Sequence, residues 1–301
     1  MNQISDRAGL SVHLTQPQRK SSRACSVAVA SLLLVACAGT CHAATNVWAG
    51  LVLHFTLDEI HSGAVVDGVT SNAIGRVTNV HIALQGKLGG ACEFAYKNSY
   101  IQVADAPALN PKQVTMALWF KTGKEAWTTR YLLEKGVERG YALSIAGGGK
   151  ESPRRGKLRA IVNGRECLSD ASVTDDLWHL AAATCDGQTL KLYVDGVLQK
   201  QTAAVHGEIA ANAHSLTLGM NHSSPSGQEK EISFEGTMDE VMVFNRALDE
   251  TEIKKVLSAV KPKFTKQQVA RRLTELKDLL DRGLILKDFY DRKVQECEVV
   301  E

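Results

Sequence analysis

The chain has 301 residues, 44% hydrophobic and 23% charged, which excludes a disordered protein. Its formal net charge is +2, from 35 basic and 33 acidic residues, and this excludes the strongly basic surface of a dedicated nucleic-acid binder. The length suits two ordinary domains, or one β-sandwich of about 200–250 residues with a small appendage.

Residues 1–43 read as a targeting segment. Arg19, Lys20 and Arg23 form a positive region ahead of an uncharged apolar run from Ala24 to Gly39. That run is shorter than the roughly 20 residues of a spanning helix. Cys41-His42-Ala43 offers small residues at −3 and −1 for cleavage before Ala44, the layout of a secretory signal peptide. Two other readings stay open. Leu34-Val35-Ala36-Cys37 is similar to a bacterial lipobox, which would make Cys37 a lipid anchor, or the segment remains as an uncleaved anchor. Removing residues 1–43 takes away four basic residues and one acidic one, leaving 31 against 32. The positive balance therefore belongs to the leader. The mature chain is expected to be exported, with no membrane span and no nucleic-acid partner.

Over 48–260 short strands alternate with Gly, Asp and Asn turns. Leu51–Phe55, Ala91–Phe94 and Tyr100–Val103 come first. Val114–Phe120 is almost continuously apolar and reads as a central strand. Strands follow at Tyr131–Leu133, Tyr141–Ile145, Leu158–Val162, Trp178–Cys185, Leu190–Val194, Leu216–Leu218 and Gly236–Phe244. Asp195-Gly196 is a strong hairpin signal. Roughly a dozen strands at spacings of about 8–15 residues predict an all-β, two-sheet antiparallel sandwich over 44–260. Helical periodicity appears only at Asp249–Leu257.

At Lys261-Pro262-Lys263 the strand signals stop. Val269, Leu273, Leu276, Leu279 and Leu280 repeat at helical spacing, Gly283 supplies a stop, and a second short helix starts near Phe289. Residues 261–301 thus read as a small α-hairpin, too small to bury a good core alone. Self-association through 262–301 is the expected outlet for its apolar face.

Four cysteines remain after cleavage: Cys92, Cys167, Cys185 and Cys297. Export permits disulfides, with Cys167–Cys185 one candidate and the pairing left open. Cys92 shares a strand face with Phe94 and reads as a core thiol.

The residues carry a family resemblance. Leu53–Glu59, Gly89–Phe94 with Tyr100–Val103, Leu177–Gly187 followed by Leu192–Gly196, and Gly236–Leu248 resemble, in order, the laminin-G-like, concanavalin A-like jelly roll. They span about two thirds of the chain. Leu276–Ile285 with Asp288–Lys293 is similar to the short SHOCT domain, although Leu286 stands where that family has a capping Thr or Ser. The combination implies a bacterial exported protein.

Catalytic patterns are wanting. Glycosidases of this fold need paired carboxylates. The strand signature E-x-D-x-(x)-E does not occur, and Thr237 stands where an acid is required. G-x-S-x-G and His-Glu-x-x-His do not occur either. The chain is expected to be no enzyme. The resemblance implies that calcium can sit where the first and last strands meet, with Asp58 and Asp239 as candidate ligands, since calcium takes oxygen donors. Sugar binding calls for stacking aromatics, for which Trp127, Tyr131 and Trp48 are the candidates. The leading expectation is a non-catalytic module that binds a glycan or cell-surface polymer. The alternative is an assembly protein whose jelly roll contacts other proteins.

Overall fold

The computed structural model describes residues 46–95, 97–221 and 233–259, together with stretches between 263 and 299. The leader over 1–43, Cys37, Cys297 and most of the second tail helix lie outside the described residues.

Two antiparallel sheets form a jelly-roll sandwich. The first runs β14 (Val197–Ala204), β13 (Thr189–Val194), β12 (Trp178–Cys185), β7 (Val114–Lys121), β16 (Gly236–Phe244), β5 (Ala91–Phe94), β4 (His81–Ala83), and β1 (Leu51–Phe55) also pairs with β16. The second runs β11 (Arg165–Ser172), β10 (Lys157–Val162), β9 (Tyr141–Ile145), β8 (Arg130–Lys135), β15 (Leu216–Leu218), β6 (Tyr100–Val103), β3 (Ala73–Thr78) and β2 (Ala64–Val66).

Alternation places one set of side chains between the sheets. Phe55, Met116, Leu118, Phe120 and Val243 face Ile101, Leu133, Leu143, Leu158 and Leu218, all fully buried. The opposite face of the first sheet is also covered. Ala117, Trp119, Leu180, Tyr193, Met242 and Phe244 pack beneath helix α1 (Glu250–Ala259) through Ile253 and Val256. Burial on both faces explains why β7 is apolar at nearly every position. Asp249 caps α1 reciprocally: its Oδ1 accepts the Glu252 N–H at 2.8 Å, while Glu252 Oε2 accepts the Asp249 N–H at 3.1 Å.

In the tail, α2 (Lys266–Asp281) ends at Gly283, which takes a φ of +68°. The Leu284 N–H then reaches back to the Leu279 carbonyl, as in a left-handed helix stop. A short parallel pair, β17 (Lys263–Phe264) with β18 (Glu298–Val299), brackets this stretch and was not foreseen in the sequence. Among the described residues no helix is long and apolar enough to cross a membrane.

Candidate functional site

The register of β16 brings two of the expected residues together. Its first residues, Gly236–Met238, pair with β5, and its later ones, Val241–Phe244, pair with β1. The two partners thus meet end to end along one strand. Asp239 and Glu240 fall at the junction, in a bulge where Glu240 takes a φ of +49°. Asp58 follows β1, and the turn 86–90 precedes β5. Both aspartates hold that turn. Asp58 Oδ1 accepts the Gly90 N–H at 2.7 Å, and Asp239 Oδ2 accepts the Leu88 N–H at 2.9 Å. Gly86 is required here because a Cβ would collide with the Gly90 carbonyl.

Asp239 is fully buried, and its Oδ1 has no hydrogen-bond partner. Burial pushes its carboxyl up to about 8, with the Glu240 and Asp58 charges adding and the Leu88 N–H opposing. Beside it, burial raises the Cys92 thiol to about 12, with both aspartates contributing, so this cysteine is inert. Glu240 turns away to His54, with Oε2 2.7 Å from Nε2. Among the described residues no three His, Cys, Asp or Glu side chains gather into a metal cluster.

A second region lies at the end of the sandwich where β5 and β7 finish and β12 and β16 begin. A cleft of about 440 Å³ opens there, lined by Glu93, Lys121, Lys124, Asp176, Glu235 and Thr237, with Gly123 and Gly236 in its floor. Its charges are loosely paired: Lys121 to Asp176 at 3.8 Å, Lys124 to Glu235 at 4.0 Å and Arg130 to Glu235 at 3.3 Å.

Beside the cleft, the loops 122–129 and 146–156 fasten to one another. The Gly148 N–H donates to the Ala126 carbonyl at 3.1 Å, and Gly147 lies against the Thr128 backbone, where any Cβ would clash. Together they display Trp127, which is 54% exposed. The Arg155 guanidinium sits 4.5 Å from the centre of that ring.

The other aromatic candidates are placed differently. Tyr131 is buried against Ala142 and Ile161 on the face of the second sheet turned away from the core. It offers no open ring for stacking, because its strand neighbours cover it. Trp48 is exposed near the start of the described chain, and Trp119 is buried beneath α1 with Lys87 Nζ 4.2 Å above its ring.

Glu235 and Asp239, four residues apart where the glycosidase strand signature would need its acids, have separate tasks. Glu235 serves Arg130 and Lys124, and Asp239 serves the 86–90 turn.

A family model described as the concanavalin A-like lectin/glucanases superfamily matches residues 95–254, more than half of the chain. The chain belongs to this superfamily. No curated protein matches the sequence. Among solved structures, the binding domain of Paraclostridial Mosquitocidal Protein 1 matches at 16% identity and a TM-score of 0.55, covering 71% of this chain and 53% of that one. Domain 4 of AbnA, a GH43 extracellular arabinanase from Geobacillus stearothermophilus solved with arabinotriose, matches at 18% identity and 0.53, covering 69% and 98%. The ligand-binding domain of botulinum neurotoxin serotype D, solved with N-acetylneuraminic acid, matches at 16% and 0.53, covering 70% and 51%. This chain therefore spans about half of the two toxin domains and nearly all of the arabinanase domain. At these identities the likeness establishes the fold.

Within this superfamily member, two polar clusters escaped the sequence reading. His179 is held between two carboxylates: Nδ1 is 2.8 Å from Asp195 Oδ2 and Nε2 is 3.0 Å from Asp175 Oδ1. The Asp195 contact raises its pKa, with Asp175 adding and burial opposing. The hairpin signal Asp195-Gly196 pointed to a turn, but nothing in the sequence placed that turn beside His179. The second cluster surrounds Lys135, which ends β8 and is fully buried.

The three described cysteines correct the disulfide candidate. Cys92, Cys167 and Cys185 are free thiols, and Cys167 Sγ donates to the Leu190 carbonyl at 3.4 Å.

Proposed function

We propose that the chain is an exported, non-catalytic carbohydrate-binding module that takes its glycan at the end of the sandwich displaying Trp127. One observation carries this reading. A tryptophan that is more than half exposed stands on a loop fastened to its neighbour, beside a cleft lined with polar and charged groups. Sugar rings present C–H faces to such a ring and hydroxyls to such a cleft. The arabinanase domain bound to arabinotriose and the toxin domain bound to N-acetylneuraminic acid support it by fold.

A glycan array probed with the purified protein and with Trp127→Ala tests the reading. Selective signal that falls roughly tenfold in the variant, at an unchanged melting temperature, is the expected outcome. An array without signal above background would favour the assembly role instead.

Calcium at Asp58 and Asp239 belongs to the same proposal. The donor chemistry fits in kind, because both are hard oxygen ligands and the buried Asp239 Oδ1 lacks a partner. A cation there would let Asp239 ionise. Calcium is expected to raise the melting temperature of the protein, and Asp58→Ala and Asp239→Ala are each expected to abolish the shift. A shift that survives both substitutions places calcium elsewhere.

A further inference from the structure

We infer that the glycan bound at the Trp127 end is anionic, bearing carboxylate or sulfate groups along its chain. This rests on the carbohydrate reading above and narrows it.

The argument comes from how cations are shared around Trp127. Arg154 and Arg159 both lean on the single carboxylate of Glu166, at 2.9 Å and 2.7 Å. Lys124 and Arg130 both lean on Glu235. With Lys121, Lys150, Arg155 and Lys157 counted beside them, and Glu93, Glu125, Glu151 and Asp176 counted against them, this end carries a surplus of two positive charges. Arg155 is less satisfied still. Its Nη1 lies 3.6 Å from Glu125, near enough for attraction and too far for a hydrogen bond, and it has no hydrogen-bond partner. Lys150 and Lys157 belong to the same loop and strand start. The whole protein is close to neutral, so this local surplus is not a general property of its surface.

The arrangement suits an acidic sugar chain in particular. Arg155 occupies one side of the Trp127 ring and holds it in place, while more than half of the residue stays open. A pyranose ring can stack on the open side while its acid group reaches Arg155. Guanidinium groups favour such acids because planar donors match carboxylate and sulfate oxygens. On the same outer face, Arg159 pairs in register with Ser144, and Ser144 with Tyr131. A single-stranded nucleic acid shares the anionic and stacking features, but it would need a continuous basic track. Here each arginine is already half committed to a glutamate.

Isothermal titration of the purified protein with polygalacturonate, chondroitin sulfate, arabinan, dextran and a single-stranded oligonucleotide separates these ligands. The expected result is at least tenfold tighter binding to one or both acidic polysaccharides than to the neutral ones, weakening as salt is raised. The polygalacturonate and chondroitin arms distinguish carboxylate from sulfate. Trp127→Ala and Arg155→Gln should each weaken acidic binding about tenfold, and Arg155→Lys should weaken it less. Equal affinity for neutral and acidic chains would overturn the anionic inference and leave the carbohydrate reading standing. Binding to no polysaccharide would overturn both. Tighter binding to the oligonucleotide, or acidic binding unmoved by the Trp127 and Arg155 variants, would remove the proposed ligand or the proposed place.

Discussion

Replacing Lys135 with methionine is expected to lower the unfolding free energy by about 3–5 kcal/mol, the usual cost of breaking a buried ion pair. The ammonium is fully buried and makes four contacts. Nζ donates to Asp105 Oδ1 at 2.8 Å, to the His214 carbonyl at 2.8 Å, and to the Asn212 carbonyl and Oδ1 at 3.3 Å each. These contacts belong to a network. Asn212 Nδ2 returns bonds to the Lys135 and Arg139 carbonyls, and the Asn212 N–H donates to Asn110 Oδ1 at 3.1 Å. One cation thus ties the segment around residues 210–214 to the turn after β6. Hydrogen bonding to Lys135 is the main reason the Asp105 carboxyl sits below its ordinary pKa.

Methionine fits the aliphatic part of the site but leaves two backbone carbonyls and a carboxylate unanswered. Asp105 is about one-third exposed and can take up water, so the loss falls mainly on the carbonyls. Asp105→Asn strands the ammonium among neutral acceptors and should cost a similar amount. The double variant should cost clearly less than the sum of the two. Denaturant unfolding with an unchanged slope is the measurement. A loss under about 1 kcal/mol for Lys135→Met would show that the cluster is incidental.

Arg246→Ala is expected to cost about 2–3 kcal/mol and to loosen α1 from the first sheet. Arg246 grips Glu252 with two parallel bonds of 2.8 Å, from Nη1 to Oε2 and from Nη2 to Oε1. It also donates from Nε to the Ala49 carbonyl at 2.6 Å and from Nη2 to the Val47 carbonyl at 3.1 Å. One side chain therefore joins the entry to β1, the exit from β16 and the first turn of α1. Glu252 is itself half of the helix cap, so its loss of orientation would weaken the start of the helix as well. Trp119 lies buried beneath α1, and its fluorescence reports the outcome. A red-shifted emission before global unfolding is expected. Arg246→Lys should recover only part of the stability, because an ammonium cannot supply the paired bonds. An emission spectrum identical to wild type up to the main transition would refute the link between Arg246 and helix seating.

The long strands were legible in the sequence because burial wrote them there. β7 is covered on both faces and is therefore apolar throughout. β12 and β16 read clearly for the same reason. The strands that escaped are of two kinds. β2, β3 and β4 are three to six residues long and lie toward the sheet margins, too short to set up a recognisable alternation. β11 and β14 have polar outer faces, so Arg165–Ser172 and Val197–Ala204 lack an apolar run. At the site, the resemblance to the jelly-roll family implied that Asp58 and Asp239 meet, at the junction of the first and last strands. Trp127 could be named because it stands between Ala126 and Thr128, outside any strand pattern. Lys135 could not, since a Glu-Lys pair at a strand end looks like a solvated edge. Nor could the Arg159–Glu166 contact, because it depends on the register between β10 and β11, including a bulge.

The end-to-end seating of β1 and β5 on β16 also orders events in time. His54 of β1 meets Glu240 of β16 across 186 residues of chain. At a synthesis rate of about 5–20 residues per second, β1 waits roughly 10–40 s before its partner strand exists. Until then β7 lacks a neighbour on one side, and the central layer cannot close. Such distant pairing predicts slow folding that completes only after nearly the whole sandwich has been made. Premature termination before residue 236 would leave β7 as an unpaired apolar edge, the form of strand most prone to pair with another copy.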